Sequence, residues 1–174
     1  MPDGRTRASL ILLVLLTGSF LAAPNLAESE ALVLDVRDTR SRALLLSVRL
    51  PLDDRFYLRY THSTAKTEVE EHFKVVGREE IVLERMIYAS AGAGIPDFPP
   101  AGATFRAADD RFVLEGINLR FPSLERIRVA HFYPFFLGTH EREHRLSDLA
   151  RGRLVDILIR PQAGEHDRRS QPYD

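Results

Sequence analysis

The fold is decided by residues 55–76, which read RFYLRYTHSTAKTEVEEHFKVV. Apolar and polar side chains alternate on both sides of a short polar stretch at 63–67. Such alternation predicts half-buried β-strands, because successive side chains of a strand point to opposite faces. The stretch therefore predicts two strands, at 55–62 and 68–76, that pair as a hairpin through 63–67.

The alternation also assigns each side chain of the hairpin to a face. The face expected to point inward carries Phe56, Leu58, Tyr60 and His62 from the first strand, and Val69, Glu71, Phe73 and Val75 from the second. Glu71 thus lies on an apolar stripe, and a buried carboxylate needs a partner. We expect His62, near the loop end, to provide it. The pair is either a histidine tuned by a carboxylate for proton transfer or ligand binding, or an internal contact that fixes the hairpin register.

Segments with similar alternation recur along most of the chain. Further strands are predicted at 31–36, 43–50, 80–88, 104–107, 111–114, 126–132 and 154–160. Turn residues separate several of them, at 51–54, 77–78 and 109–110. The pattern predicts an all-β single domain, a sandwich or open barrel of about eight to ten strands. One short helix is expected near 139–150, because Thr139 can cap its start and Gly152 follows its end.

The composition is that of an ordinary globular protein. The 174 residues include 44% hydrophobic and 28% charged residues with a net charge of −1, which excludes collagen-like, coiled-coil and wholly disordered chains. Because there is no cysteine, disulfides, thiolate metal sites and a cysteine nucleophile are excluded. The near-neutral charge offers no broad footprint for a phosphate backbone, so no nucleic-acid partner is expected. No cofactor motif is found either.

The N-terminal residues have the layout of a targeting segment. Arg5 and Arg7 precede an uncharged run at 8–23, and small residues follow. This predicts a signal peptide over 1–27, or an uncleaved N-terminal anchor that tethers the same domain to the membrane. Both interpretations predict an exported, periplasmic protein. A β-domain at 30–160 and a flexible, polar tail at 161–174 complete the predicted organisation.

Two other stretches carry residue types used in binding sites. Gly92, Gly94 and Pro96 follow a predicted strand, where exposed backbone N–H groups either bind an anion or form a long turn without a ligand. His140 and His144 have the spacing of a zinc-binding H-E-x-x-H helix. Charged residues fill the positions between the glutamate and the second histidine, and no third ligand is indicated. We therefore expect no metal site, with these two histidines as the only weak candidates.

Three motifs, in order, resemble a known family. Residues 60–71 resemble the Y-x-H-S-x-x-K-T-x-V-x-E signature of a small exported domain of unknown function, family number eighteen-fifty. Residues 88–96, YASAGAGIP, look like its Y-x-S-x-G-A-G-[LIV]-P segment, with Ala91 in place of an aromatic residue. Residues 144–146 are similar to its H-x-L element. The resemblance extends over residues 30–160.

The resemblance implies a role in transport. Members of the family are often encoded beside TAXI-type tripartite (TRAP) transporters, which take up small organic acids. It therefore implies a non-enzymatic accessory domain that contacts the TAXI-type solute-binding protein or the TRAP permease. Its motifs mark as functional candidates Tyr60, His62, Ser63, Glu71, Gly92, Gly94, Pro96 and His144. Two alternatives stay open: a periplasmic metal-dependent or hydrolytic enzyme that uses His62, Glu71 and His144, and a carboxylate-binding or structural module that relies on arginines.

Overall fold

The structure is a computed structural model that describes residues 31–90 and 99–162. Its elements, in chain order, are β1 Leu32–Asp38, β2 Leu44–Arg49, β3 Arg55–Thr61, β4 Glu68–Gly77, β5 Glu80–Tyr88, β6 Thr104–Ala108, β7 Arg111–Phe121, β8 Ser123–Arg128, β9 Phe135–Thr139, β10 Glu143–Arg145, α1 Leu146–Ala150 and β11 Leu154–Pro161. The predicted signal peptide at 1–27 and most of the predicted tail, from 163 onward, lie outside the described residues. The all-β prediction is confirmed.

The strands form two antiparallel sheets that share one core. The smaller sheet has the order β2-β1-β11-β8, and the larger one has the order β10-β9-β3-β4-β5-β7-β6. Strands β1 and β11 pair from Leu32 opposite Pro161 to Asp38 opposite Val155. The side chains buried in the core come from both sheets, among them Leu34, Val36, Ile157, Phe56, Leu58, Phe73 and Leu137. The described residues close no barrel, so the fold agrees with the sandwich.

The predicted hairpin forms the centre of the larger sheet. In the β3–β4 pairing, Thr61 lies opposite Glu68 and Leu58 opposite Glu71. Leu58 and Val69 are buried in the core, as the alternation predicts. Because cross-strand partners share a face, the pairing with buried Leu58 turns Glu71 toward the core.

The helix is shorter than predicted. Only Leu146–Ala150 is helical, while residues 140–142 form a turn between β9 and β10. Thr139, the expected helix cap, caps this turn instead: its Oγ1 lies 3.3 Å from the amide nitrogens of both Glu141 and Arg142, and its own N–H bonds to the Arg142 carbonyl at 2.8 Å. A hydroxyl side chain followed by polar residues can cap either a helix or a turn. Here the turn forms, because residues 143–145 pair with β9. No helix among the described residues is long and apolar enough to cross a membrane.

Strand β8 begins and ends earlier than the predicted 126–132. Beyond Arg128 the chain leaves the ladder and bonds to the turn between α1 and β11, where Val129 donates to the carbonyl of Arg153 and accepts from Gly152 N–H, both at 3.0 Å. The pairing of β8 with β11 shifts register next to Asp156, which makes a β-bulge. Arg126, which is described below, lies in this bulge.

Candidate functional site

A cavity of about 380 Å³ opens between the two sheets, beside the β3–β4 turn. Its larger-sheet wall is lined by Leu58, Tyr60, Thr61, His62, Ser63, Glu71 and Phe135. Four of the residues predicted as functional candidates, namely Tyr60, His62, Ser63 and Glu71, therefore line one cavity. We call this space the inter-sheet cavity.

The hydrogen bond to Glu71 comes from Tyr60. The phenol hydroxyl donates to Oε1 of Glu71 at 3.2 Å. The sequence pattern predicts His62 for this role, but Tyr60 pairs with Val69 and Glu71 with Leu58, so Tyr60 and Glu71 are diagonal neighbours on the inner face. The Tyr60 ring also stacks on Phe135, with ring centroids 5.3 Å apart. The partner of the carboxyl group is thus a phenol whose own position is fixed by ring stacking.

This environment favours the neutral form of both groups. Burial raises the pKa of Glu71, and the hydrogen bond from Tyr60 opposes that effect only in part. Burial, together with the nearby carboxylate, also raises the pKa of Tyr60. A protonated carboxyl group can donate a hydrogen bond as well as accept one. In its protonated form, which burial favours, Glu71 offers the cavity both a donor and an acceptor.

His62 holds the turn that borders the cavity. Its ring Nδ1 accepts a hydrogen bond from the backbone N–H of Ala65 at 3.1 Å. Its backbone N–H bonds to the Thr67 carbonyl, and its carbonyl accepts from Lys66 N–H. Because Nδ1 acts as acceptor, the neutral ring carries its proton on Nε2. The imidazole thus combines a structural contact with a place on the cavity wall, while Ser63 beside it is exposed.

The opposite wall comes from the smaller sheet. It is formed by Arg126, Ile127, Arg128 and Ala130, none of which the sequence analysis identified. Arg126 has a φ of 55° in the bulge, and its N–H donates to Oδ1 of Asp156 at 2.9 Å. No sequence signal identifies this wall, because β8 reaches the cavity only through its pairing with β11. Two arginine residues thus line a cavity whose other wall holds the Glu71 carboxyl.

Comparison with protein families identifies the chain. The model described as "Domain of unknown function (DUF1850)" matches residues 56–146. The chain belongs to this family. The match contains every residue that lines the inter-sheet cavity, while β1, β2 and β11 of the DUF1850 domain lie outside it. Comparisons with curated proteins and with solved structures gave no match.

The remaining candidates of this DUF1850 domain lie elsewhere. His144 is in β10 and lines a separate depression with Arg49 and Arg142, at the edge of the smaller sheet. The three side chains proposed for a hydrolytic site, His62, Glu71 and His144, are thus divided between two cavities. The segment with Gly92, Gly94 and Pro96 lies outside the described residues.

The histidine pair at 140 and 144 does not have the geometry of a zinc helix in the DUF1850 domain. His140 is in the β9–β10 turn, and its Nδ1 lies 3.2 Å from Oδ2 of Asp54. His144 lies in a strand, so the one-turn separation that places two histidines on the same helix face is absent. Within residues 31–90 and 99–162, no group of three or more histidine and acidic side chains could hold a metal ion.

Proposed function

We propose that this DUF1850 domain is an exported, non-enzymatic binding module that holds a small organic acid in the inter-sheet cavity. In this proposal it serves a TAXI-type TRAP uptake system by contact with the solute-binding protein or the permease. The observation that carries the proposal is the convergence of Tyr60, His62, Ser63 and Glu71 on one cavity. The layout of residues 1–27 supports export, and the resemblance described above supports the link to transport.

The lining of the cavity favours an acid with a short apolar body. A volume of about 380 Å³ lies within the range of small-molecule sites. Leu58, Ile127 and Phe135 supply an apolar wall, while Tyr60 and Glu71 supply hydrogen-bonding groups. Arg126 and Arg128 add positive charge, and the raised pKa of Glu71 reduces the negative charge opposite them. An anionic headgroup on a small hydrocarbon is therefore the best match.

Thermal unfolding of the full chain with a panel of small mono- and dicarboxylic acids tests the ligand. A ligand that binds only the folded state raises the melting temperature in a concentration-dependent way. We expect Glu71→Gln and Tyr60→Phe to weaken this stabilisation. Glu84→Gln, which removes an exposed carboxylate of β5 paired with Arg55, is the matched control and should leave it unchanged. No stabilisation by any acid would contradict the ligand assignment.

Affinity capture with the full chain as bait tests the partner. We expect specific recovery of a TRAP solute-binding protein or permease from periplasmic and membrane extracts. Absence of both would contradict the accessory role. Elemental analysis of the same purified protein adds a second test, because a stoichiometric metal ion would favour the metal-dependent enzyme instead.

A further inference from the structure

A second depression lies outside the inter-sheet cavity. It has a volume of about 660 Å³ and lies where the β1–β2 turn, β8 and the α1–β11 turn meet. Four arginines line it, Arg40, Arg126, Arg128 and Arg153, against one acidic side chain, Asp38. We call it the arginine cleft. Its lining thus carries an excess of positive charge in a chain whose net charge is only −1.

The acidic groups at the cleft are already engaged by their own surroundings. Asp38 accepts hydrogen bonds from Arg40 N–H, Ser41 N–H and Ser41 Oγ, at 3.1, 2.8 and 2.9 Å. Those bonds, first of all the one from Ser41 N–H, hold the pKa of Asp38 below its usual range. All three bonds end on Oδ1 and tie the carboxylate to the β1–β2 turn, while Oδ2 lies 3.6 Å from the Arg153 guanidinium. This single carboxylate therefore balances at most one of the four arginines.

Asp156, below the cleft, is engaged in the same way. It accepts from Arg126 N–H at 2.9 Å, from Thr39 Oγ1 at 2.8 Å and from the Arg42 guanidinium at 2.6 Å. Burial alone would raise the pKa of this carboxyl, but these three donors hold it below its usual range. Because Arg42 neutralises Asp156, this carboxylate does not reduce the positive charge of the four arginines that line the cleft.

The guanidinium groups of the cleft are poorly compensated. Those of Arg40 and Arg126 make no hydrogen bond or ion pair with any other residue in 31–90 and 99–162. Arg128 donates only to the Gly152 carbonyl, at 3.0 Å, and Arg153 lies 3.6 Å from Asp38. Like charges gathered in a concave site repel one another and attract anions.

The cleft is formed by segments that are tied to one another. Thr39 N–H bonds to the Leu154 carbonyl, which fixes the β1–β2 turn to β11. The paired bonds of Val129 with Gly152 and Arg153 fix the end of β8 to the α1–β11 turn. The backbone positions of the four arginines are therefore set before any ligand arrives, which lowers the entropic cost of binding.

We infer that the arginine cleft is a binding site for a phosphate group, either as a free anion or as the headgroup of a phospholipid. Guanidinium groups bind phosphate oxygens through paired, charge-assisted hydrogen bonds, and an anionic group with more than one free oxygen can use more than one arginine at a time. Arg40 and Arg153 line the cleft but not the inter-sheet cavity. Arg126 and Arg128 line both spaces, so variants of Arg40 and Arg153 are the ones that separate this site from the organic-acid site proposed above.

Titration of the full chain with inorganic phosphate, at constant ionic strength, tests the inference. We expect phosphate to raise the melting temperature, and the variant Arg40→Gln/Arg153→Gln to weaken binding at least about tenfold. Arg120→Gln is the matched control, because it removes an exposed arginine that pairs with Glu80 outside the cleft. Glu71→Gln, in the inter-sheet cavity, should also leave phosphate binding unchanged.

Vesicles distinguish the two sources of the phosphate group. If the ligand is a lipid headgroup, phosphatidylglycerol vesicles should retain the wild-type chain and the Arg120→Gln control better than the double variant, with no such difference on phosphatidylcholine. All three chains contain the apolar N-terminal run, so its own affinity for lipid cancels in this comparison.

Two results would overturn the inference. One is the absence of any effect of phosphate together with equal vesicle binding by wild type and double variant. The other is a stabilisation that chloride reproduces at the same ionic strength, because that effect would be general screening. If the double variant unfolds, Arg40→Gln alone replaces it, since no contact of this guanidinium with another described residue is lost.

Discussion

The phenol of Tyr60 donates a hydrogen bond to the Glu71 carboxyl across the inner face of the β3–β4 hairpin, at 3.2 Å. Both groups line the inter-sheet cavity. Because burial raises the pKa of Glu71, the charge on this wall changes at a higher pH than that of an exposed glutamate. Through this contact, both the charge of the cavity and the stability of the fold depend on pH.

Glu71→Gln should stabilise the domain at high pH. A carboxyl whose pKa is higher in the folded state binds more protons there, so its contribution to stability is lost as pH rises from about 4.5 through the raised pKa. The amide has no charge to bury, so we expect a gain on the order of 1 kcal/mol above that window and none below pH 4. Urea unfolding across pH checks it, with Glu84→Gln as control. An equal difference at every pH would contradict the assignment.

Tyr60→Phe should raise the pKa of Glu71 further. The lost hydroxyl is the donor that lowers this pKa in the wild type, so the midpoint of the Glu71 titration should move upward. The free energy of unfolding at neutral pH should fall by about 0.5–1.5 kcal/mol, the net value of one hydrogen bond. NMR titration of the carboxyl carbon measures the shift directly. An unmoved midpoint would mean that the hydroxyl does not contact Glu71 in solution.

His62→Asn and His62→Ala should separate the structural role of this residue from its role in the cavity. An asparagine side-chain oxygen can accept the hydrogen bond that Nδ1 receives from Ala65 N–H, so His62→Asn should keep most of the stability. His62→Ala should lose about 1 kcal/mol. Both should weaken binding of the organic acid, as thermal shift measures. Wild-type binding by His62→Asn would restrict His62 to its role in the turn.

Asp35→Asn should destabilise the fold and make it less sensitive to acid. Asp35 has a fully buried side chain that pairs with Arg160 at 2.7 Å and Arg37 at 2.9 Å. Burial would raise its pKa, but hydrogen bonds from Arg160, Ser47 and Arg37 hold it below its usual range. Loss of the charge should cost about 3–5 kcal/mol at neutral pH.

That cost should shrink as pH falls below 3.8 and through the depressed pKa, because wild-type Asp35 is then protonated as well. Glu84→Gln breaks the exposed pair with Arg55 and should cost less than about 1 kcal/mol. Chemical unfolding at several pH values compares the two variants. Equal losses of stability in the two variants would show that burial of the Asp35 ion pair does not increase its contribution to stability.

Gly138→Ala should disturb the outer face of the larger sheet. The Tyr57 ring lies so closely over Gly138 that an added Cβ would overlap it, and the ring is held there by a hydrogen bond to Glu143 at 2.9 Å. We expect a loss of about 1–3 kcal/mol from overpacking. The same change in a Tyr57→Ala background should cost much less, so a double-mutant cycle checks it. Additive costs would exclude the overlap.

The β3–β4 hairpin can be predicted from the sequence because it follows one local rule. Period-two alternation over 55–76 predicts which side chains point inward, and it correctly turns Glu71 toward the core. The hydrogen-bond partner of Glu71 cannot be predicted in the same way, because Tyr60 and His62 lie on the same face. Only the strand register, which puts Leu58 opposite Glu71, shows that the partner is Tyr60.

The second wall of the cavity depends on contacts between distant parts of the chain. Arg126 and Arg128 line the cavity only because β8 pairs with β11, and Arg126 lies in the bulge, where its N–H bonds to Asp156. No local pattern carries that information. The predicted helix begins too early for a different reason: residues 135–145 pair locally as the β9–β10 hairpin, with Glu143 opposite Gly138, and this pairing overrides helix propensity.

The position of β11 in the smaller sheet also determines when, during synthesis, the two cavities can form. Strand β11 occupies an interior position of its sheet, between β1 and β8, yet it is the last strand in the part of the chain that the structure describes. Until residues 154–161 have left the ribosome or a secretion channel, β8 has no partner to hold it, and both the inter-sheet cavity and the arginine cleft lack a wall. On the two proposals above, a chain that lacks β11 would retain neither the organic acid nor the phosphate group, and binding would begin only after β11 is inserted.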